Sequence, residues 1–180
     1  MNNTMEELKN FYSEALKNQQ IGNYSVAKSL YKKILLKKPD HINTQNNLAV
    51  IYFQISESIK AIELFEKVLH IEPNNMMAIE NLGMVYNDLG EHEKAIACHE
   101  RQIKIDPNHS VAHNNLGTVY KLMGKFEIAK DYYKKAINLK PNLPSAYNNL
   151  GVLLGTLKED EKALGHFKKA LESDSNYIKA

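Results

Sequence analysis

Apolar residues along the chain recur at two nested periods. Within a short window they follow helical spacing, as in Leu116, Val119, Tyr120 and Met123, and again in Ala129, Tyr133, Ala136, Ile137 and Leu139. Each such pair of segments then returns 34 residues later. Taking residue 8 as the first position gives five gapless units: 8–41, 42–75, 76–109, 110–143 and 144–177. Alanine fills position twenty of every unit (Ala27, Ala61, Ala95, Ala129, Ala163), and position eight is always small (Ala15, Ala49, Gly83, Gly117, Gly151). Proline fills position thirty-two in four units (Pro39, Pro73, Pro107, Pro141), with Ser175 in the fifth. A repeat of this length is one supersecondary unit that stacks on its neighbours.

Each unit reads as two helices. The first ends at a glycine such as Gly90 or Gly124, where a left-handed C-cap conformation costs little. The second stops before proline, which pushes the preceding residue out of the helical region. Asp40, Asn74, Asn108 or Asn142 then suits the turn into the next unit. The small residues at positions eight and twenty let the two helices approach closely.

This pattern resembles the tetratricopeptide repeat, with its Leu-Gly-x-x-Tyr, Ala-x-x-x-Phe and Pro signature. The matches are Leu48-Ala49, Tyr52, Ala61, Phe65 and Pro73; Leu82-Gly83, Tyr86, Ala95 and Pro107; and Leu116-Gly117, Tyr120, Ala129, Tyr133 and Pro141. The resemblance implies an all-α fold, a right-handed α-solenoid of five tandem 34-residue helix-turn-helix repeats, after a lead-in at residues 1–7. Three departures stand out. The usual Trp at position four is replaced by Phe11, Gln45, Ile79, His113 and Tyr147. Repeat one has Glu14 and Asn18 where Leu and Tyr are usual, giving it a polar outer face. Repeat three has His99 and Gln102 where an aromatic and a small residue usually pack, which points to a looser junction. Residues 178–180 match the start of a further repeat, since Ala180 falls in phase with Ala78, Ala112 and Ala146. Either the repeat array runs on, or another copy covers the end.

In the family's arrangement the first helices line a concave groove at positions two, five, six, nine, twelve and thirteen. Position six carries Asn47, Asn81, Asn115 and Asn149, with Ser13 as the exception, and position five adds Asn46, Asn114 and Asn148. An amide both donates and accepts, so a row of them matches the N–H and C=O groups of an extended peptide. The row is similar to the asparagine ladder of the O-linked N-acetylglucosamine transferase repeat domain. Alternatively, each amide bonds within its own repeat. Further groove candidates are Met77, Met84, Tyr12, Val50, Phe53, Val111 and Val152, with Lys9, Glu80, Asp88 and Lys121 as charges that cancel. The carboxylate clamp of chaperone-binding members needs a lysine at position five. Here that position holds Tyr12, Asn46, Glu80, Asn114 and Asn148, so a C-terminal Glu-Glu-Val-Asp tail is not the expected ligand.

Composition narrows the remaining classes. A net charge of +2, 43% hydrophobic and 24% charged residues, and a single cysteine, Cys98, suit a cytoplasmic protein without a disulfide framework. Charge is positive over 8–41 and 110–143 and negative over 42–109, as solvated helix faces often are. Nucleic acid and membrane insertion are not expected, nor is a cofactor. His109 and His113 share a spacing that metal ligands use, but no third ligand is near in sequence, and His92, Cys98 and His99 lack an orienting base. No catalytic constellation is present. The expected function is a protein-interaction module for an extended peptide or partner segment. Two alternatives stand: the substrate-recruiting array of a larger enzyme such as a glycosyltransferase, and a self-assembling scaffold docking through its last repeat.

Overall fold

The apolar spacing of each unit folds into a pair of helices in the computed structural model, which describes residues 2–173, with side chains from Met5 onward. The expected further repeat at 178–180, and residues 174–177 before it, lie outside the described residues. Ten helices and no strand occur among those described: α1 (Asn2–Gln20), α2 (Tyr24–Lys37), α3 (Ile42–Gln54), α4 (Ser58–Ile71), α5 (Met76–Asp88), α6 (His92–Ile105), α7 (Ser110–Leu122), α8 (Phe126–Leu139), α9 (Pro144–Thr156) and α10 (Asp160–Ser173). None of these is long and apolar enough to cross a membrane.

The helices group into two compact units, Met1–Val85 and Tyr86–Ala180. In the first, α1, α2, α3 and α4 pack in sequence. Its core includes Ala15, Ala27, Tyr31, Ile34, Ala49, Ile51, Ala61, Phe65 and Val68, all essentially without solvent contact. In the second, each helix from α6 to α10 packs on the next, and α7 also touches α9, so first helices of successive pairs are neighbours there. Ala129, Tyr133, Leu150, Leu153, Leu154 and Ala163 form its main cluster, with Tyr120 and Phe167 against it.

Close helix approach explains the small residues. A Cβ added to Gly117 would lie 2.6 Å from the ring of Tyr133, and one added to Gly151 would lie 2.7 Å from that of Phe167. The turn between paired helices has one recurring demand. Position fifteen has φ of 77° at Gly22, 74° at Gly90 and 73° at Gly124. The same left-handed conformation is held by Ser56 at 62° and Lys158 at 61°, so two repeats accept the strain of a Cβ there.

The turns that enter α3, α5 and α7 are tied by the residue that caps the helix. His41 Nδ1 accepts from the Thr44 N–H at 3.3 Å, and His109 Nδ1 accepts from the Ala112 N–H at 3.2 Å. Asn75 Oδ1 does the same for the Ala78 N–H at 3.0 Å. These bonds satisfy amides that a helix start otherwise leaves open. Position four adds a second tie. Gln45 Nε2 donates to the Pro39 carbonyl at 2.8 Å, and His113 Nε2 makes the same contact with the Pro107 carbonyl at 3.2 Å. His109 and His113 thus hold one inter-repeat turn. At the repeat-three positions where an aromatic and a small residue usually pack, His99 and Gln102 are buried together, and His99 Nδ1 donates to Gln102 Oε1 at 3.0 Å.

Candidate functional site

The position-six amides all lie half-buried on first helices, but their hydrogen bonds differ. In the first unit, Asn47 Nδ2 on α3 donates 3.0 Å to the Tyr12 hydroxyl on α1. In the second, Asn149 Nδ2 on α9 donates 3.0 Å to Asn114 Oδ1 on α7 and reaches Thr118 Oγ1 at 3.5 Å. Both bonds run from position six to position five of the preceding repeat, and they link successive first helices. Asn81 instead donates to the Met77 carbonyl of its own helix at 2.9 Å. Asn115 accepts at Oδ1 from Asn114 Nδ2 at 3.4 Å. The amide oxygens of Asn47, Asn81 and Asn149 have no hydrogen-bond partner among the described residues.

Position five separates by repeat. Asn46 and Asn114 are buried, whereas Asn148 is exposed. Asn46 Nδ2 reaches Asn75 Oδ1 at 3.5 Å, and Asn46 Oδ1 is buried without a partner. Asn114 sits in a small network in which Thr118 Oγ1 donates to its carbonyl and the Tyr133 hydroxyl donates to Thr118 Oγ1. Sequence reasoning placed these amides beside the row; it missed Thr118 and the Tyr12 hydroxyl as their partners. A spacing of 35 residues between polar side chains on first helices is the signal that would have found the Tyr12 and Asn114 bonds, whereas Thr118 stands 31 residues from Asn149.

Of the other candidates, Met77, Met84, Val152 and Asp88 are exposed, and Glu80, Lys121, Val50, Phe53 and Val111 are half-buried. Tyr12 is the best-positioned ring. It packs on Tyr31, with centroids 6.0 Å apart, and edge-on to His41 at 5.6 Å. Burial, helped by the neighbouring Tyr12, pushes the Tyr31 hydroxyl up to about 12, and that hydroxyl donates to Gln19 Oε1 at 2.8 Å.

Beside Tyr12 lies a hollow of about 370 Å³. Lys9, Tyr12, Ser13 and Leu16 of α1 and Asn43 of α3 line it, together with Met5, Leu8, Ile34, Lys38 and His41. The α1 residues from Lys9 to Leu16 are positions two, five, six and nine of the first repeat, and Asn43 is position two of the second. Lys9 and Lys38 form no ion pair among the described residues. The walls are therefore mainly apolar, with positive charge at the edge.

Chemically reactive groups are few here. The Cys98 thiol is pushed up to about 11 by burial, against a smaller opposing effect of Arg101, so it is no ready nucleophile. Among the described residues no group of three or more His, Cys, Asp or Glu side chains is placed to hold a metal ion.

Paired helices with a recurrent polar row on the first of each pair define a helical-repeat protein. Three family models, each described as a tetratricopeptide repeat, match residues 42–75, 75–142 and 114–178. The chain belongs to the tetratricopeptide-repeat family, an α-solenoid class of protein-interaction modules that are generally non-catalytic. No curated protein matches it by sequence. Its fold is similar to the crystal structure of MamA protein, at 28% identity and TM-score 0.71 over 97% of this chain and 95% of that one. It is also similar to PilF of Pseudomonas aeruginosa, at 25% identity and TM-score 0.79, covering 94% of this chain and 78% of that one. A thermophilic tetratricopeptide-repeat protein of Thermus thermophilus shares the fold at 21% identity and TM-score 0.83, over 96% and 94% of the two chains.

Proposed function

We propose that this module holds an extended peptide against the face built from its first helices, with an apolar, acid-tipped residue of the guest in the hollow beside Tyr12. The observation that supports this reading is the lining of the hollow. Groove positions two, five, six and nine of the first repeat meet there around a cavity large enough for one side chain. The open oxygens of Asn47 and Asn81 accept from backbone N–H groups of the guest, and exposed Met77 and Met84 offer adaptable apolar contact.

Magnitudes set the strength. Two amide contacts at roughly 1 kcal/mol each, one buried side chain at about 2 kcal/mol and partial cover of a methionine at about 1 kcal/mol give about 5 kcal/mol before ordering costs. That corresponds to a dissociation constant of roughly 0.1–1 mM for a short peptide, with longer guests gaining from further contacts. The test is a set of peptides selected from a random display library and titrated by fluorescence anisotropy. Selected sequences should carry Asp or Glu next to a large apolar residue, and Lys9→Glu with Lys38→Glu should weaken them about tenfold. Equal affinity for the charge-reversed protein refutes the assignment of the hollow. The cytoplasmic location belongs to the same proposal, and cell fractionation tests it.

A further inference from the structure

His41, position thirty-four of the first repeat, belongs both to the turn that enters α3 and to the wall of the hollow beside Tyr12. It is half-buried, its ring stands edge-on to Tyr12, and its Nδ1 accepts from the Thr44 N–H at 3.3 Å. An accepting Nδ1 requires the neutral ring with its proton on Nε2. His109 and Asn75 cap α7 and α5 in the same way, so capping alone does not call for a histidine. What sets His41 apart is the residue it caps onto. Position three holds alanine in repeats three to five (Ala78, Ala112, Ala146) but Thr44 in repeat two. Thr44 is without solvent contact, and its hydroxyl lies 2.7 Å from His41 Nδ1. A hydroxyl both donates and accepts, so it serves the neutral ring as donor and the protonated ring as acceptor. The Thr44 N–H loses little in that exchange, since it also bonds the His41 carbonyl at 2.9 Å. The ring can thus take up a proton without leaving its place.

We infer that His41 is a proton-linked specificity residue of this hollow: once protonated it adds a third positive charge to those of Lys9 and Lys38 and favours a guest carboxylate there. The inference rests on the peptide reading given above for the same hollow. His41 Nε2 has no hydrogen-bond partner among the described residues, which leaves it an N–H to donate in either state. The surrounding groups set the direction. From α1 come Lys9 and Tyr12, with Tyr31 of α2 packed on Tyr12. Lys37, at the end of α2, is engaged by Glu7. The turn brings Lys38 and Asp40, and Asp40 borders a separate hollow with Glu63, Glu66, Lys67 and His70 of α4. No charged residue lies on α3. Burial, and then Lys38, hold the free ring below the ordinary 6.5, so it is mainly neutral at pH 7.5. A guest carboxylate offsets Lys38 and favours the charged ring, so guest and proton bind together. A group whose pKa rises on binding adds affinity as pH falls through that raised value and adds none well above it.

The test titrates 3-phenylpropionate, an apolar body with one carboxylate that is largely ionised at both pH values used, into the isotope-labelled full chain at pH 5.5 and pH 7.5. Its amide, 3-phenylpropionamide, is the uncharged control. Backbone amide shifts give the affinity, and the His41 ring signals give its titration midpoint with and without the acid. Saturable shifts should appear around Lys9, Tyr12, Lys38 and His41, the acid should bind about threefold more tightly at pH 5.5 than at pH 7.5, and the His41 midpoint should rise when the acid is bound. The amide should bind equally at both pH values. His41→Asn installs the residue that already caps α5 at this repeat position, so it keeps the cap and removes the proton. This variant should bind the acid equally at both pH values, and a melting curve checks that its fold is kept. Saturable shifts at the hollow with no pH dependence, or a pH dependence that survives in His41→Asn, overturn the inference and leave the peptide reading standing. Absence of shifts at the hollow from either probe overturns it together with the assignment of the hollow to an acid-tipped guest.

Discussion

Asn149→Ala and Asn81→Ala remove the same side chain from the same repeat position, yet the structure gives them different consequences. Asn149 Nδ2 bonds Asn114 Oδ1 at 3.0 Å and lies 3.5 Å from Thr118 Oγ1, which makes it a tie between α9 and α7. Asn114 is buried, so truncation loses a bond of about 1 kcal/mol and leaves a buried oxygen short of its donor at a further ~1 kcal/mol. The better helix propensity of alanine returns about 0.5 kcal/mol. The net expectation for Asn149→Ala is a loss of about 1.5 kcal/mol. Asn81 is half-buried and bonds only the Met77 carbonyl of its own helix. Loss of that local contact and gain in propensity nearly cancel, and the expected change lies within about 0.5 kcal/mol of zero. Urea unfolding followed by circular dichroism measures both, with an unchanged m-value required for the comparison. Binding of a library-selected peptide adds the second readout, in which Asn81→Ala should weaken capture without loss of stability. Equal destabilisation by the two variants, or a neutral Asn149→Ala, refutes the distinction between a tying amide and an open one.

Three further outcomes follow from other parts of the structure. Nothing lies within 4 Å of a Cβ added at Gly124, so Gly124→Ala should cost about 1 kcal/mol from backbone strain alone, and Ser56→Gly at the same repeat position should stabilise by a similar amount in thermal unfolding. Burial lowers the pKa of His99, His113 and His166 below the ordinary 6.5, against raising effects at the first two from Gln102 and the Pro107 carbonyl. The unfolded chain then binds more protons, so stability is full above about pH 6.5 and falls as pH drops toward the depressed values; His99→Phe should flatten that slope. Cys98, with its thiol raised to about 11, should react with a disulfide reagent at pH 8 far more slowly than it does in urea, and equal rates contradict its burial.

The repeat register was open to sequence reasoning because packing imposes it at every unit. Ala27, Ala61, Ala95, Ala129 and Ala163 are buried as the 34-residue phase requires, and Gly117 and Gly151 meet aromatic rings as close helix approach requires. Glycine at position fifteen was legible as a C-cap, but Ser56 and Lys158 were not, since neither side chain advertises a positive φ. The amide row was legible as a row and illegible in its bonding. Asn46, Asn114 and Asn148 carry the same letter, but the first two are buried and the third is exposed. Partner choice depends on what the preceding repeat offers, a hydroxyl at Tyr12 in one unit and an amide at Asn114 in the other. The hollow beside Tyr12 joins residues from three helices and a turn, so no local motif announces it.

The most direct test of the peptide-binding account is an amide-shift map of the full chain with a display-selected peptide at saturation. The account predicts shifts at Lys9, Tyr12, Ser13, Leu16, Asn43 and Asn47, together with intermolecular contacts from an extended guest backbone to the Asn47 and Asn81 side chains. Shifts confined to α2, α4, α6, α8 and α10, or a guest bound as a helix, would contradict it.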